Sequence, residues 1–307
     1  MADVYKLREV FSRGMPTVTY VRREHLGLER DLRRAVEQGH AIIAITGPSN
    51  CGKTVLRRTV IPDNVVVHVE GGQISDESDF RDTIRDHLRA PTGTTEGASK
   101  QAGGTSEVSG SVGPRFAKFG AKHSEQSNVS HAETRNFTGP QKSNLLKRIQ
   151  DDHDVLVVDD FHYITRDVRA TIVRSLKSAG FDGITVVMLS VPYRAFDVLS
   201  AEAEMEGRFT HLPIPAWNVD DLCKIARQGF PAMGLHVSDD IQERLATESL
   251  GSPLLMQSLC SQLCAEIDVF TTQQPPRSVQ PDEVDLEHLF RIVARNFGLP
   301  AFKKLAA

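Results

Sequence analysis

Gly47, Gly52, Lys53 and Thr54 stand in the order G-x-x-x-x-G-K-T within "IAITGPSNCGKTVL", directly after an apolar run. Two glycines let a backbone curl until successive N–H groups point inward at an anion, and a helix starting at the lysine adds its positive N-terminal end. The chemistry this suits is the binding of a polyphosphate. Pro48, Ser49, Asn50 and Cys51 form the curl and Val55 follows it; Lys53 reaches the β- and γ-phosphates and the Thr54 hydroxyl serves Mg²⁺. Cys51 is read there as a small residue rather than a redox group.

Such a site also needs a carboxylate on a neighbouring strand to hold the metal's water shell. "VLVVDDFHYI" supplies one: four apolar residues, then Asp159 and Asp160 at the strand's carboxyl end, where open α/β sheets place their ligands. Asp159 is expected to serve the metal. Asp160 is expected to orient or deprotonate an attacking water. A plainer reading makes the pair a cap for the following helix.

The elements that must position these residues are written in the hydrophobic pattern. Ala41 to Ile45, Val65 to Val69, Val155 to Val158 and Ile184 to Leu189 read as strands buried on both faces. Between them, Phe80, Ile84 and Leu88, and then Val168, Ile172 and Leu176, recur at helical spacing, so the fold class is α/β with a parallel sheet. The stretch from about 90 to 140 is crowded with Gly, Ser and Thr and reads as an insertion that buries too little apolar surface to offset its ordering entropy. It is either a surface loop, with a weak hairpin around Val108 to Phe119, or a contact element for a partner or a second copy.

After Pro215 the strand signals stop. Val219 to Phe230, Asp239 to Leu250 and Pro253 to Glu266 read as three helices of a small domain, with Ser238 as a cap, Gly251 as a left-handed terminator and Ser252-Pro253 as a cap and first position. The expected organisation is an α/β core over 1–215, a helical domain over 216–270, and a linker with a C-terminal helix over 271–307.

The chain has 307 residues, 40% hydrophobic and 25% charged, with a net charge of -4. That balance exerts no global pull toward nucleic acid or an acidic membrane, so any phosphate-backbone contact must come from a local patch. The four cysteines match no common zinc spacing and read as reduced thiols, the N-terminus shows no apolar signal core, and no apolar run reaches the roughly 20 residues of a spanning helix. A cytoplasmic protein with no membrane contact is the expectation.

These motifs together resemble the additional-strand class of P-loop NTPases, and within it the AAA+ and STAND ATPases, over about Val18 to Glu266. The resemblance implies a parallel-sheet P-loop core followed by a small helical lid, with ATP or ADP and Mg²⁺ as ligands. It further implies that "TYVRREHL" closes over the base through Val21 and Arg22, with Arg23 beside them, although the family's glycine is missing and an ordinary basic helix start would look similar. In the same way Ser190 becomes the γ-phosphate reader with Arg194 as a helper, and Arg208 becomes an arginine that reaches a neighbouring subunit's nucleotide, or else a surface arginine on a turn. "LGSPLLMQSL" lacks the arginine that many AAA+ lids carry; its Gly-x-Pro is similar to STAND proteins, in which Pro253 would pack near the nucleotide.

The function implied is a slowly hydrolysing ATPase that assembles with copies of itself in the ATP state and engages a separate protein effector, in settings such as antiviral defence. A second reading is a DNA-associated AAA+ ATPase that oligomerises on duplex DNA, as transposition regulators do, through Lys100, Arg115, Lys118 and Lys122 or another basic cluster. A third, a small-molecule kinase, would need an acceptor pocket.

Overall fold

The computed structural model describes residues 3–39, 42–89, 149, 155–181, 184–192 and 209–297. The insertion, Arg194 and Arg208 lie outside the described residues.

Five strands, β1 (Ile42–Thr46), β2 (Val66–Glu70), β3 (Val155–Asp159), β4 (Val186–Ser190) and β5 (Phe209–Pro213), form one sheet in the order β2-β3-β4-β1-β5, every pair parallel. The strand that separates the phosphate-loop strand β1 from the acidic strand β3 in space is β4. The strand that separates them in sequence, β2, lies at the sheet's edge.

Alternation along each strand divides the core into two layers. Ile42 and Ala44, Leu156 and Val158, and Val186 and Met188 face one side, with Phe80, Ile84, Ile172 and Leu176 from helices α4 (Glu77–Arg89) and α5 (Arg166–Phe181). Ile43 and Ile45, Val155 and Val157, and Val187 and Leu189 face the other, with Leu28 and Leu32 of α2 (Leu28–Gln38) and Leu56 of α3 (Lys53–Val60). Helices on both faces explain why β1, β3 and β4 are buried from end to end.

Each of the four strands read from hydropathy runs one residue further than its apolar stretch, and that residue is polar: Thr46, Glu70, Asp159 and Ser190. A ladder hydrogen bond needs only backbone, so the strand continues after the hydrophobic signal has stopped. The register sets Thr46 beside Ser190 and Glu70 beside Asp159, which lines the sheet's carboxyl edge with polar groups.

The second core is helical. Helices α6 (Val219–Ala232), α7 (Asp239–Glu248) and α8 (Pro253–Glu266) pack through Leu222, Phe230, Leu245, Leu255, Leu259 and Leu263. Asn218 caps α6 by accepting from the Asp221 N–H at 2.7 Å, and Ser252 caps α8 by accepting from the Leu255 N–H at 3.3 Å, with Pro253 in the first position. Gly251 is left-handed at φ 77°, as expected, but Ser238 makes no side-chain cap to α7. Helix α6 runs past Pro231 because the proline falls in the last turn.

Both ends of the described chain join this core. A short N-terminal helix α1 (Leu7–Val10) contributes Leu7 and Val10, and the helix α9 (Leu286–Phe297) contributes Leu289 and Val293. Within the stretch read as a linker, β7 (Arg277–Ser278) pairs in parallel with β6 (Leu235–His236). Two residues are too few to show a period of two in the sequence.

Candidate nucleotide-binding site

The loop after β1 folds as its composition requires. Asn50 and Gly52 take left-handed conformations at φ 61° and 97°, the second of which favours glycine strongly, and α3 begins at the next residue, Lys53. At Gly47 a Cβ would come within 2.7 Å of the Cys51 Sγ and 2.8 Å of the Ile214 carbonyl oxygen, so the loop closes only around a residue without a side chain. The Gly47 N–H donates to the Ser190 carbonyl at 3.3 Å, which pins the loop's start to the end of β4.

Lys53 is buried, and its ammonium donates to the carbonyls of Gly47 at 3.0 Å and Pro48 at 2.8 Å. The cation is thus held inside its own loop. One residue on, the Thr54 hydroxyl donates to Asp159 Oδ2 at 2.9 Å, across 105 positions of sequence. The other carboxylate oxygen, Asp159 Oδ1, accepts the Asp160 N–H at 2.8 Å, and Asp160 is left-handed at φ 50°. A hydroxyl and a carboxylate are hard oxygen donors of the kind that suit Mg²⁺, which takes one or two protein groups and completes its shell with phosphate and water. The residues present fit that ion.

A cavity of about 670 Å³ opens over this edge, within the size range of small-molecule and cofactor sites. Ser49 to Val55, Asp159 and Asp160 line it on the sheet side, and Pro253, Leu254 and Gln257 of α8 line it on the lid side. Gly47 and Pro48 act from behind, through their carbonyls. The N-terminal segment supplies Ser12 to Pro16 and Thr19 to Val21.

The base-closing segment differs from its expected form by one position. Val21 is buried and lines the cavity, but Arg22 points to solvent, and it is Arg23 that turns in. Strand-like alternation over Val21, Arg22 and Arg23 accounts for the exchange. Arg23 stacks on the Trp217 ring, 4.4 Å from its centroid, and donates to the Pro215 carbonyl at 3.1 Å. Trp217 in turn donates its indole N–H to the Cys51 carbonyl at 2.9 Å. The phosphate loop is therefore bonded to Trp217, two residues before the first lid helix begins at Val219. Burial pushes the Cys51 thiol up, which suits a packing role better than a reactive one.

No protein-family model matches the chain, and no curated protein matches it. Solved structures do. A Walker-type ATPase of Pyrococcus abyssi superposes with a TM-score of 0.61 at 11% identity, over 94% of this chain and 75% of that one. The ORC2 protein of Aeropyrum pernix, solved in ADPNP and ADP complexes, matches with a TM-score of 0.53 at 15% identity, over 95% and 72%. The chain has the AAA+ P-loop NTPase fold. At these identities the likeness is one of fold alone.

Within this AAA+ frame, Ser190 sits at the end of β4 and is buried, and its hydroxyl donates to the Val191 carbonyl at 3.3 Å. The cavity wall at that point is Val191. Pro253 lies on the wall as expected. Among the lining residues that went unnamed in the sequence are Glu70, Trp217, Thr19 and Gln257. Glu70 is the most consequential for chemistry. It stands in register with Asp159, and its carboxyl is held above the ordinary 4.5 by burial first and then by the charges of Asp159 and Asp160. A signal for it existed, since it is an acid immediately after an apolar strand, the same pattern that marked Asp159. Tyr20, also on the wall, donates its hydroxyl to Glu29 at 2.7 Å, and burial followed by that carboxylate pushes its pKa up to about 12.

Among the described residues no helix is long and apolar enough to cross a membrane, and all four cysteines are free and buried.

Proposed function

We propose that this AAA+ chain is an ATP-binding, slowly hydrolysing switch, similar to STAND proteins, whose nucleotide state controls self-association and the docking of a separate protein effector. The observation that carries the reading is the 2.9 Å bond from the Thr54 hydroxyl to Asp159 at the mouth of a cavity that the lid also lines. It supports Mg²⁺·ATP as the ligand.

In this account Mg²⁺, when bound, offsets phosphate charge, and Thr54 and Asp159 are the groups that would hold it. A bound triphosphate competes with the Gly47 and Pro48 carbonyls for the Lys53 ammonium. Because Trp217 is bonded to the Cys51 carbonyl of the same loop, a loop that rearranges around phosphate pulls directly on the start of the lid. Asp160, on the cavity wall and 42% exposed at its side chain, orients or deprotonates the attacking water; Glu70 is the second carboxylate available for that work. Ser190 acts through the backbone that anchors Gly47. Arg194 and Arg208 are proposed as charge-stabilising arginines, the latter in trans, which would make turnover depend on assembly.

Slow turnover is part of the proposal because Asp160 is a short carboxylate and Leu254, the residue after Pro253, occupies the helix start where many AAA+ lids carry arginine. The organisation proposed is a core over 1–215, a lid over 216–270 and a C-terminal segment that packs on the lid. An antiviral setting for the switch is part of the proposal too and rests on the STAND resemblance alone.

The test is particle size by light scattering without nucleotide, with ADP, and with a slowly hydrolysed ATP analogue. Larger particles with the analogue only are expected. Identical sizes in all three states would overturn the switch.

A further inference from the structure

Gln257 is 4% exposed, lies in the second turn of α8 and lines the cavity on its lid side. Its amide nitrogen donates to the Thr19 hydroxyl at 2.7 Å. The orientation of that amide is forced. Thr19, itself 1% exposed, spends its only hydroxyl hydrogen on the Val10 carbonyl at 2.7 Å, so toward Gln257 it can only accept. The amide must turn its nitrogen to Thr19 and its oxygen away. That oxygen, Oε1, is buried and has no hydrogen-bond partner among the described residues.

A buried acceptor without a donor is costly, by about 1–3 kcal/mol, and native structures rarely keep one unless a ligand or water completes it. The same cavity is lined by the apolar residues Val21, Ile225, Pro253 and Leu254, and by the phosphate loop. A cavity with apolar residues in its lining and one acceptor left without a donor suits a purine that presents an amino group.

We propose that Gln257 Oε1 is the base-reading acceptor of the site and selects adenine over 6-oxo purines by accepting from the exocyclic 6-amino group. The proposal rests on the nucleotide-site reading above and deepens it by naming the residue that reads the base. Hypoxanthine and guanine carry an oxygen at position 6, which would face Oε1 as acceptor against acceptor. Turning the amide over does not relieve the clash cheaply, because Thr19 would then have to donate to Gln257 and abandon the Val10 carbonyl.

The experiment compares the affinities of ADP and IDP by calorimetry for the full chain. These ligands differ only at the 6-position and its neighbouring ring proton. Wild type is expected to prefer ADP by at least about tenfold, the scale of one buried hydrogen bond left unmade. Gln257→Met keeps the side chain's length without the acceptor and is expected to bind the two within about twofold of each other. Thr19→Val removes the hydroxyl that fixes the amide, and the ratio should fall there too, with IDP gaining affinity. Equal affinities in wild type would overturn the base-reading role while leaving the nucleotide site standing, and so would an undiminished ratio in a folded Gln257→Met. If wild type binds neither ligand, the nucleotide-site reading falls and this inference with it.

Discussion

The two sides of the cavity are built from different materials. On the sheet side the groups come from short local segments, a loop set by Gly47 and Gly52, a lysine and threonine that open a helix, and carboxylates at strand ends, with one side-chain bond, Thr54 to Asp159, joining the segments across 105 positions. On the lid side they come from isolated residues far apart in the chain, the Gln257 amide with the Thr19 hydroxyl across 238 positions and the Trp217 indole with the Cys51 carbonyl across 166. The first construction holds any triphosphate, since every nucleotide carries the same one. The second is where a base can be told apart and where binding reaches the lid. On the proposed reading, affinity and chemistry belong to the sheet edge, and selectivity and motion to the junction.

Substitutions can break that contrast, and the largest effect falls on the sheet side. Lys53→Ala should weaken ATP binding at least about 100-fold, because it removes a buried, charge-assisted donor. Calorimetry checks it, and an affinity in the variant within a few-fold of wild type would remove the loop from the site. Next comes turnover. Asp160→Asn should keep ATP affinity while slowing hydrolysis by about 10²-fold, the lower range of general-base effects, whereas Glu70→Gln should slow it less. If the order is reversed in a single-turnover assay, Glu70 is the water-activating group.

Glu70 also gives a stability signature. Its folded-state pKa is raised, so folding favours the protonated acid; the contribution is fully present below 4.5 and is lost as pH rises through the folded value. Glu70→Gln is neutral throughout. Its urea midpoint relative to wild type should therefore climb as pH rises from below 4.5 through the folded value, and a flat difference would show that the carboxyl is not held up by its neighbours.

The smallest effect is expected at the junction. Trp217→Leu loses a cation–π contact of about 0.5–1 kcal/mol and a neutral hydrogen bond of about 0.5–1.5 kcal/mol. ATP affinity should fall only a few-fold, but the particle-size response to nucleotide should be blunted. A variant that binds and assembles as wild type does would uncouple the phosphate loop from the lid.

The same contrast decides what could be read from the sequence. Gly47, Gly52, Lys53, Thr54, Asp159 and Asp160 were legible because their chemistry is local: a strand ends, a loop turns, a helix starts. Glu70 carried the same pattern as Asp159, an acid one residue past an apolar run, and escaped because its pairing with Asp159 exists only in the register of the ladder. The exchange of Arg22 for Arg23 escaped because a resemblance fixes a segment but not which of two adjacent arginines faces inward. Thr19, Trp217 and Gln257 carry no local signature at all. Their roles exist only once the N-terminal segment, the loop and α8 have been brought together by packing. The third lid helix was legible from Gly251, Ser252 and Pro253, whereas Ser238 reads as a cap and makes none, Asn218 caps without a reading that marks it, and Arg277 and Ser278 were too few to show a period.

Trp217 is the chain's single tryptophan and is bonded to the phosphate loop, so its emission reports directly on the loop. The decisive measurement is an ATP titration followed by that emission, with and without Mg²⁺, on wild type, Thr54→Ala, Asp159→Asn and the double variant. The account predicts a saturable change in wild type whose midpoint shifts to lower ATP when Mg²⁺ is present, and a loss of that Mg²⁺ shift that is as complete in each single variant as in the double. A Mg²⁺ shift that survives in both single variants would contradict it, because Thr54 and Asp159 would then not share one metal-bound ligand.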